Sequence, residues 1–553
     1  MNEQKNLLLA IIASLIILLI FQYLFPNQQK INNNNKDFAD NKTQSELETL
    51  TPLTREELIN KQDRIFLADN SRLKGSIPLK GARFDDIILK DYKQSIKEDS
   101  PLVKILSPKN TKNPYFIELG WMSQQNVDLP QSDSIWKLIA GKELGPNNPI
   151  TLEWSSPDKI TFTRKISLDE NFLFTIEQKV INNSKKKYSI TQYGRVNRTG
   201  TPKTTGFYIL HEGPIAVLNE RLIETDYDDL LEEKSSSIIS KGGWIGITDK
   251  YWLTALIPNQ SKNIEAGFKA SLKNIERYQA QYTSSQIDLK PNEETIIISN
   301  IFVGAKEVDL LDKYSEKLSI KMFDRAVDFG WFYIITKPLF LILHKFSSIF
   351  GNVGLSILAL TVLIRVFLFP LANKSFKSMS KMKILTPKMK DIRERYKSDK
   401  LKMQQEIMNL YKTEKVNPLS GCLPILIQIP IFFALYKVLF VTLETRHAPF
   451  YGWVKDLSAP DPTTLFNLFG IFNFTPPSFL MIGAWPLLMA FTMYLQQKLN
   501  PAPPDPLQAK IMSFLPLMFL FLFATFPAGL VIYWTWNNVL SIGQQWIIMK
   551  KIK

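Results

Sequence analysis

The residue whose type and place carry the most chemistry is Arg365, inside the apolar stretch GLSILALTVLIRVFLFPL. An arginine at the centre of a lipid-facing helix costs roughly 2.5–3.5 kcal/mol or more, so such a residue faces a bundle interior or a wet cavity. The alternative is that it snorkels to cytoplasmic phosphates, because the apolar run ends within two turns of it. Sequence physics leaves both open. Thr361 lies one turn earlier on the same helical face. Other polar residues sit in later apolar stretches: Gln428, Thr492, Gln496, Ser513, Asn537 and Asn538. Each alone reads as an interhelical hydrogen bond, and together with Arg365 they suit a shared hydrophilic groove. No carboxylate occupies the core of any such stretch, which counts against a proton or sodium relay and so against a solute transporter.

Catalytic and metal constellations are missing. There is no GxSxG, HExxH or Walker A pattern, and no Ser/Lys dyad with a base at membrane depth. The single cysteine, Cys422, has no internal disulfide partner, and His211, His344 and His447 are far apart. No metal, nucleotide or other cofactor is implied, and the chain reads as a non-enzyme. His211 beside Glu212 reads as a surface pair without consequence.

The elements that must position these residues follow from hydropathy. At 553 residues the chain requires at least two folding units. Residues 28–324 hold 41 basic and 41 acidic residues, so the net charge of +15 comes entirely from the remainder. A basic excess beside apolar helices points to cytoplasmic loops and anionic lipid before nucleic acid, and no DNA partner is expected. Residues 1–26 contain a long apolar run (7–25) read as an uncleaved signal anchor, with a cleaved signal peptide as the alternative. Residues 27–54 form a polar linker. Residues 55–322 form the next unit, mostly of period two from about 55 to 305: Ile160, Phe162, Phe172, Phe174, Ile176 and Val180 alternate with polar or charged residues, and Asn182-Asn183 makes a turn. This predicts a large antiparallel β-sandwich closed by a helix near 306–321. Residues 323–350 mix aromatic and charged residues, with Pro338 interrupting them. They suit an amphipathic helix lying in the interface, a further span being the alternative.

The segment 351–549 then supplies spans at about 353–372, 421–441, 479–497, 511–526 and 528–549, with Pro527-Ala-Gly529 as a sharp turn. The apolar patch 465–474 reads as loop or re-entrant piece. The loop 373–419 carries 13 basic and 5 acidic residues. It reads as a helical hairpin with arms 375–396 and 400–413 about a turn at Ser398-Asp399. Its methionines (Met379, Met382, Met389, Met403, Met408) pack the arms together or form an adaptable apolar surface. The positive-inside rule places this loop, both termini and the basic tail 550–553 in the cytoplasm, and the β-domain outside.

The run KMKILTPKMKDIRERYKSDKLKMQQEIMNLYKTEKVNPLSGCLPILIQIPIFFALYKVL (381–439) resembles the YidC/Oxa/Alb family of membrane protein insertases. So do FDRAVDFGWFYIITKPLF (323–340), ETRHAPF (444–450), DPLQAKIMSFLP (505–516) and FPAGLVIYWTWNNVLSIGQQ (526–545). GGWIGITDKYWLTALIP (242–258) and FVGAKE (302–307) match more loosely, and a β-domain of this size is similar to the Gram-negative form. The resemblance implies a polytopic α-helical membrane protein of six transmembrane helices with a periplasmic all-β supersandwich. Its five-helix core would hold a groove open to cytoplasm and lipid. It implies groove residues at Arg365, Thr361, Gln428, Ser513, Asn538, Tyr533 and Trp534. The cytoplasmic hairpin would present Lys388, Arg393, Arg395 and Glu414. The expected partners are nascent membrane proteins, the Sec translocon and its accessory subunits, the ribosome and the phospholipid bilayer of the inner membrane. With a short tail, ribosome contact is expected to rest on the hairpin and the loop 498–510. A glycan-binding protein anchored by its helices is the remaining alternative; fold alone does not decide it.

Overall fold

The computed structural model describes residues 52–552, apart from 207–209, 273, 331, 415, 417–422, 473, 475, 478–480 and 501–505. The signal-anchor reading, nearly all of the linker, and Cys422 lie outside the described residues.

Period-two patterning produces antiparallel strands in three sheets. The first is a four-stranded meander from Arg64–Phe66 to Leu102–Leu106. The second sheet of six strands is built around Tyr188–Thr199. The third has nine strands, and its centre is Trp252–Ile257, Glu294–Ala305, Leu173–Asn182 and Ile160–Leu168. In the last two, Ile160, Phe162, Ile166, Phe174, Ile176 and Val180 are fully buried or nearly so, as the alternation requires. Arg164 occupies one of these inward positions. Its guanidinium donates to the carbonyls of Ala82 and Leu119 at 2.8 Å and lies over Trp136, so one cation ties three segments of the core. Asn182 is buried as well as turn-forming, and its amide donates to the carbonyls of Lys186, Leu289 and Lys290.

Helix α1 (Val308–Lys317) closes this domain. The 3-10 turn Phe323–Ala326 then carries the chain out, with Phe323 wedged edge-on against Trp244 and Phe302. Helix α2 (Tyr333–Phe350) runs straight through Pro338, where the sequence predicted an interruption. The proline stands in the second turn, and its ring removes one hydrogen bond without stopping the helix. The remaining helices are α3 (Val353–Arg395), α4 (Lys400–Thr413), α5 (Leu423–Val441), α6 (Ala484–Leu499), α7 (Pro506–Phe523) and α8 (Ala528–Ile552). The predicted span 353–372 and hairpin arm 375–396 are a single 43-residue helix. The polarity changes at Asn373, yet a change of polarity does not break a backbone whose bonds close within the helix. Among the described residues, α2 and α3 are long and apolar enough to cross a membrane, and shorter apolar segments are Gln428–Val441 and Lys510–Phe523.

Charged and aromatic contacts join the β-domain to the helices. Lys337 of α2 pairs with Asp312 at 2.8 Å and Asp324 at 2.9 Å, and Lys437 of α5 pairs with Asp328 at 2.7 Å. Beyond α5, Arg446 donates to the Lys93 carbonyl at 2.6 Å and lies over Trp252. His211 is buried at this junction, and the surface-pair reading is corrected. Its Nε2 lies 3.0 Å from the Pro214 carbonyl oxygen and its Nδ1 3.3 Å from Asp226. Burial lowers its affinity for a proton, but Asp226 and Glu224 outweigh that and hold the imidazole above its ordinary pKa. Glu444, beyond α5, has one carboxyl oxygen buried and unpartnered. Burial, with Asp309 and Glu307 adding like charge, pushes it up to about 7.

A raised acid stabilises the docked state fully below its unfolded value near 4.5, and that contribution is lost as pH rises through about 7. Glu444→Gln is therefore expected to unfold later than the unsubstituted protein at pH 8, by on the order of 3 kcal/mol, with little difference at pH 5. Thermal melts of the detergent-solubilised chain at the two pH values measure this.

Candidate functional site

The site grows from one face of α8. Tyr533, Asn537, Ser541 and Gln545 recur every fourth residue, and all four are buried. The α8 N-terminus is fixed by loop carbonyls: Ala528 donates to Ala459 at 2.8 Å and Gly529 to Leu457 at 3.0 Å. Against this stripe α3 presents Thr361 and Arg365. Arg365 Nε donates to Asn537 Oδ1 at 2.9 Å, and Nη2 donates to the Asn537 carbonyl at 3.0 Å and to the Ser541 hydroxyl. The side chain thus crosses to a neighbouring helix, and the snorkel alternative is set aside. No carboxylate pairs with Arg365 among the described residues. Val362, Val366 and Phe367 of α3 are all exposed, with Phe367 on the side away from Arg365.

Thr361 is buried and donates to the Ile357 carbonyl at 2.7 Å, so it lines the α3–α8 contact without bonding the arginine. Gln428 of α5 donates from Nε2 to the Tyr533 hydroxyl. Trp534 stands edge-on to Phe432 at 4.7 Å, among Phe519 and Phe523. Asn538 donates to Thr492 Oγ1 of α6 at 3.2 Å. The structure therefore gathers Arg365, Thr361, Gln428, Tyr533 and Asn538 around α8, but places Asn537 and Ser541 at the arginine itself. Ser541 escaped the sequence reading although the period-four stripe from Tyr533 was visible. Ser513 is not brought in: it is exposed and donates back to the Lys510 carbonyl at 2.7 Å.

In the hairpin, Lys388 of α3 pairs with Glu414 at the end of α4 at 2.8 Å, across exposed surface. The Tyr411 hydroxyl lies 3.5 Å from buried Met389 Sδ. Met389 thus packs between the arms, Met379 is buried instead with Phe376, Ala372 and Ile548 of α8, and Met408 is exposed. Arg395 is exposed and Arg393 is half-buried.

Comparison with known proteins agrees with this architecture in both halves. Residues 345–553 match the model of the 60Kd inner membrane protein family, and residues 67–342 match that of the YidC periplasmic domain. The membrane protein insertase YidC of Rickettsia felis is 51% identical over 557 residues, covering 99% of each chain. The chain belongs to the YidC family of membrane protein insertases. The YidC of Rickettsia bellii is likewise 51% identical, over 559 residues and 99% of each chain. A crystal structure of an active YidC insertase with its first transmembrane domain resolved overlays 87% of this chain and 94% of its own at 16% identity and a TM-score of 0.36. The full-length relatives, not that overlay, carry the assignment. YidC homologues are inner-membrane proteins with a periplasmic domain, which here is the β-rich one.

A double-mutant cycle checks the coupling across α3 and α8. Arg365→Met and Asn537→Ala are each expected to destabilise the solubilised protein. The double variant should lose less than the sum, by a coupling of about 1–2 kcal/mol read from melts.

Proposed function

We propose that this member of the insertase family passes the polar flank of a nascent membrane protein along the α8 stripe, entering from the cytoplasmic side. The observation that supports this reading is the solvation of Arg365: a guanidinium held by an amide, a carbonyl and a hydroxyl keeps its full positive charge. Each of these partners stands where water would otherwise stand. A substrate flank that reaches them exchanges hydration for protein dipoles and avoids the cost of bare transfer into an apolar medium. An acidic flank gains most, because no carboxylate among the described residues pairs with the arginine.

The apolar segment of the substrate then moves into lipid along α5 and α7, where hydrophobic transfer drives the step. No catalytic step and no nucleotide enter this scheme. In the proposed topology six spans cross the inner membrane, α2 lies in the periplasmic interface, and both termini are cytoplasmic. Gln428 and Trp534 border the path. The hairpin, with Lys388, Arg393, Arg395 and Glu414, meets the ribosome and lipid head groups, and the Sec translocon hands over larger substrates.

Reconstitution with a small two-span substrate bearing an acidic flank tests the charge. Arg365→Lys is expected to retain most insertion and Arg365→Glu to lose it several-fold. Equal insertion by both, together with no crosslink from position 365 to the substrate, would remove this reading.

A further inference from the structure

Between α5 and α6 the chain forms a loop whose base and tip are opposites. At the base Asp461 is almost fully buried. It accepts from the Trp453 indole at 3.0 Å, from the Thr463 amide at 3.0 Å and from the Trp485 amide at 2.9 Å. Trp485 stands in the first turn of α6, so the carboxylate stabilises that helix N-terminus while it closes the loop. Leu465 completes the neck by donating to the Ile482 carbonyl at 2.9 Å.

The tip turns outward. Phe466, Phe469, Phe472 and Phe474 are each more than 40% exposed, and Ile471 is 77% exposed. Surface of this kind is ordinarily covered. No charged residue occurs from Pro462 to Gln497. The backbone of the tip is also closed upon itself. Phe469 donates to the Thr464 carbonyl, Ile471 to Leu468, Phe472 to Asn467 and Phe474 to Phe472. The amide of Phe466 is taken by the Thr464 hydroxyl. Leu468 and Phe469 adopt left-handed φ values of 48° and 57°, uncommon for bulky residues, and this turn brings those donors and acceptors together. Self-satisfied amides under an uncharged aromatic cover are what hydrocarbon demands of a polypeptide, whereas water demands neither.

We propose that the tip, Leu465–Gly470 with Ile471, Phe472 and Phe474, is a membrane foot, seated among the acyl chains of the periplasmic leaflet. The side is set by Arg446, which opens the same loop and holds the Lys93 carbonyl of the β-domain. Continuity sets the medium. The uncharged stretch runs on into α6, where Leu488, Phe491 and Leu495 are exposed at the spacing of one helical face. The foot extends that lipid-facing strip beyond the helix end and fixes the depth of α6, and hence of the Thr492–Asn538 contact, in the bilayer.

Spin labelling of the full chain in phospholipid vesicles tests this without reference to insertion activity. In a Cys422→Ser background, Ile471→Cys and, separately, Phe472→Cys carry a nitroxide, with Lys455→Cys as the water-exposed control from the same loop. Power saturation should show the labels at 471 and 472 relaxed several-fold more by oxygen than by a water-soluble nickel chelate, with the reverse at 455. Labels at 471 and 472 as open to nickel as that at 455 would overturn the proposal. So would shielding from both reagents, in vesicles and detergent alike, which would assign the tip to a protein contact.

Discussion

A guanidinium inside an apolar bundle has to be solvated, and the groups that do it decide what the bundle can do next. A carboxylate would pair with Arg365 and cancel its field. Asn537 and Ser541 hydrogen-bond it and leave the charge outstanding, because amide and hydroxyl dipoles stabilise a cation without neutralising it. The geometry of the helical half follows from this choice. α3 must lie against α8 at Arg365, α5 must approach α8 where Gln428 meets Tyr533 of the stripe, and α6 must approach it where Thr492 meets Asn538 beside the stripe. The loop carbonyls of Leu457 and Ala459 hold the N-terminal end of α8 in place.

The β-domain is attached by a different logic. Ion pairs and cation–aromatic stacks form its rim, with Lys437, Lys337 and Arg446 each reaching a partner across the boundary, while Phe323, Phe329 and Phe340 carry the buried apolar core from the β-domain into the helices. Beneath the rim lie groups whose protonation is shifted by burial. Lys250, over the Phe440 ring at 3.6 Å, and Lys306, bonded to Thr248, are both pushed down to about 8. The charged rim sets register, and the apolar seam beneath it supplies the cohesion.

Much of this was readable from residue order. Alternation from Ile160 to Val180 was enough for inward-facing strands, since period two leaves one buried face. Arg365 announced itself because hydrocarbon penalises charge so heavily. What escaped were relations between segments distant in sequence. Ser541 has an unremarkable type and gains meaning only because α3 crosses α8 at its level. His211 looked superficial beside Glu212, yet its polar partners are Asp226, Pro214 and Asp328, the last 117 residues away. Ser513 had the right polarity and depth but stands on the outward face of α7, which an apolar helix without a strong moment does not disclose. The unbroken α3 was missed because polarity was taken as a boundary where backbone continuity ruled.

That continuity joins two places that composition kept apart. From Val353 to Arg395 the axis measures about 65 Å, and some 45 Å of it separates Arg365 from the hairpin turn. A helix is stiff in bending and in torsion, so α3 is a lever between Arg365 and the hairpin turn. Pro370 and Pro387 are the places where the lever can yield, because each lacks one bond of the ladder. A load applied near Arg395 is thus delivered to the arginine as rotation about the helix axis and tilt at Pro370. The angle at which the guanidinium meets its polar stripe becomes a mechanical quantity, set from the far end of the same rod.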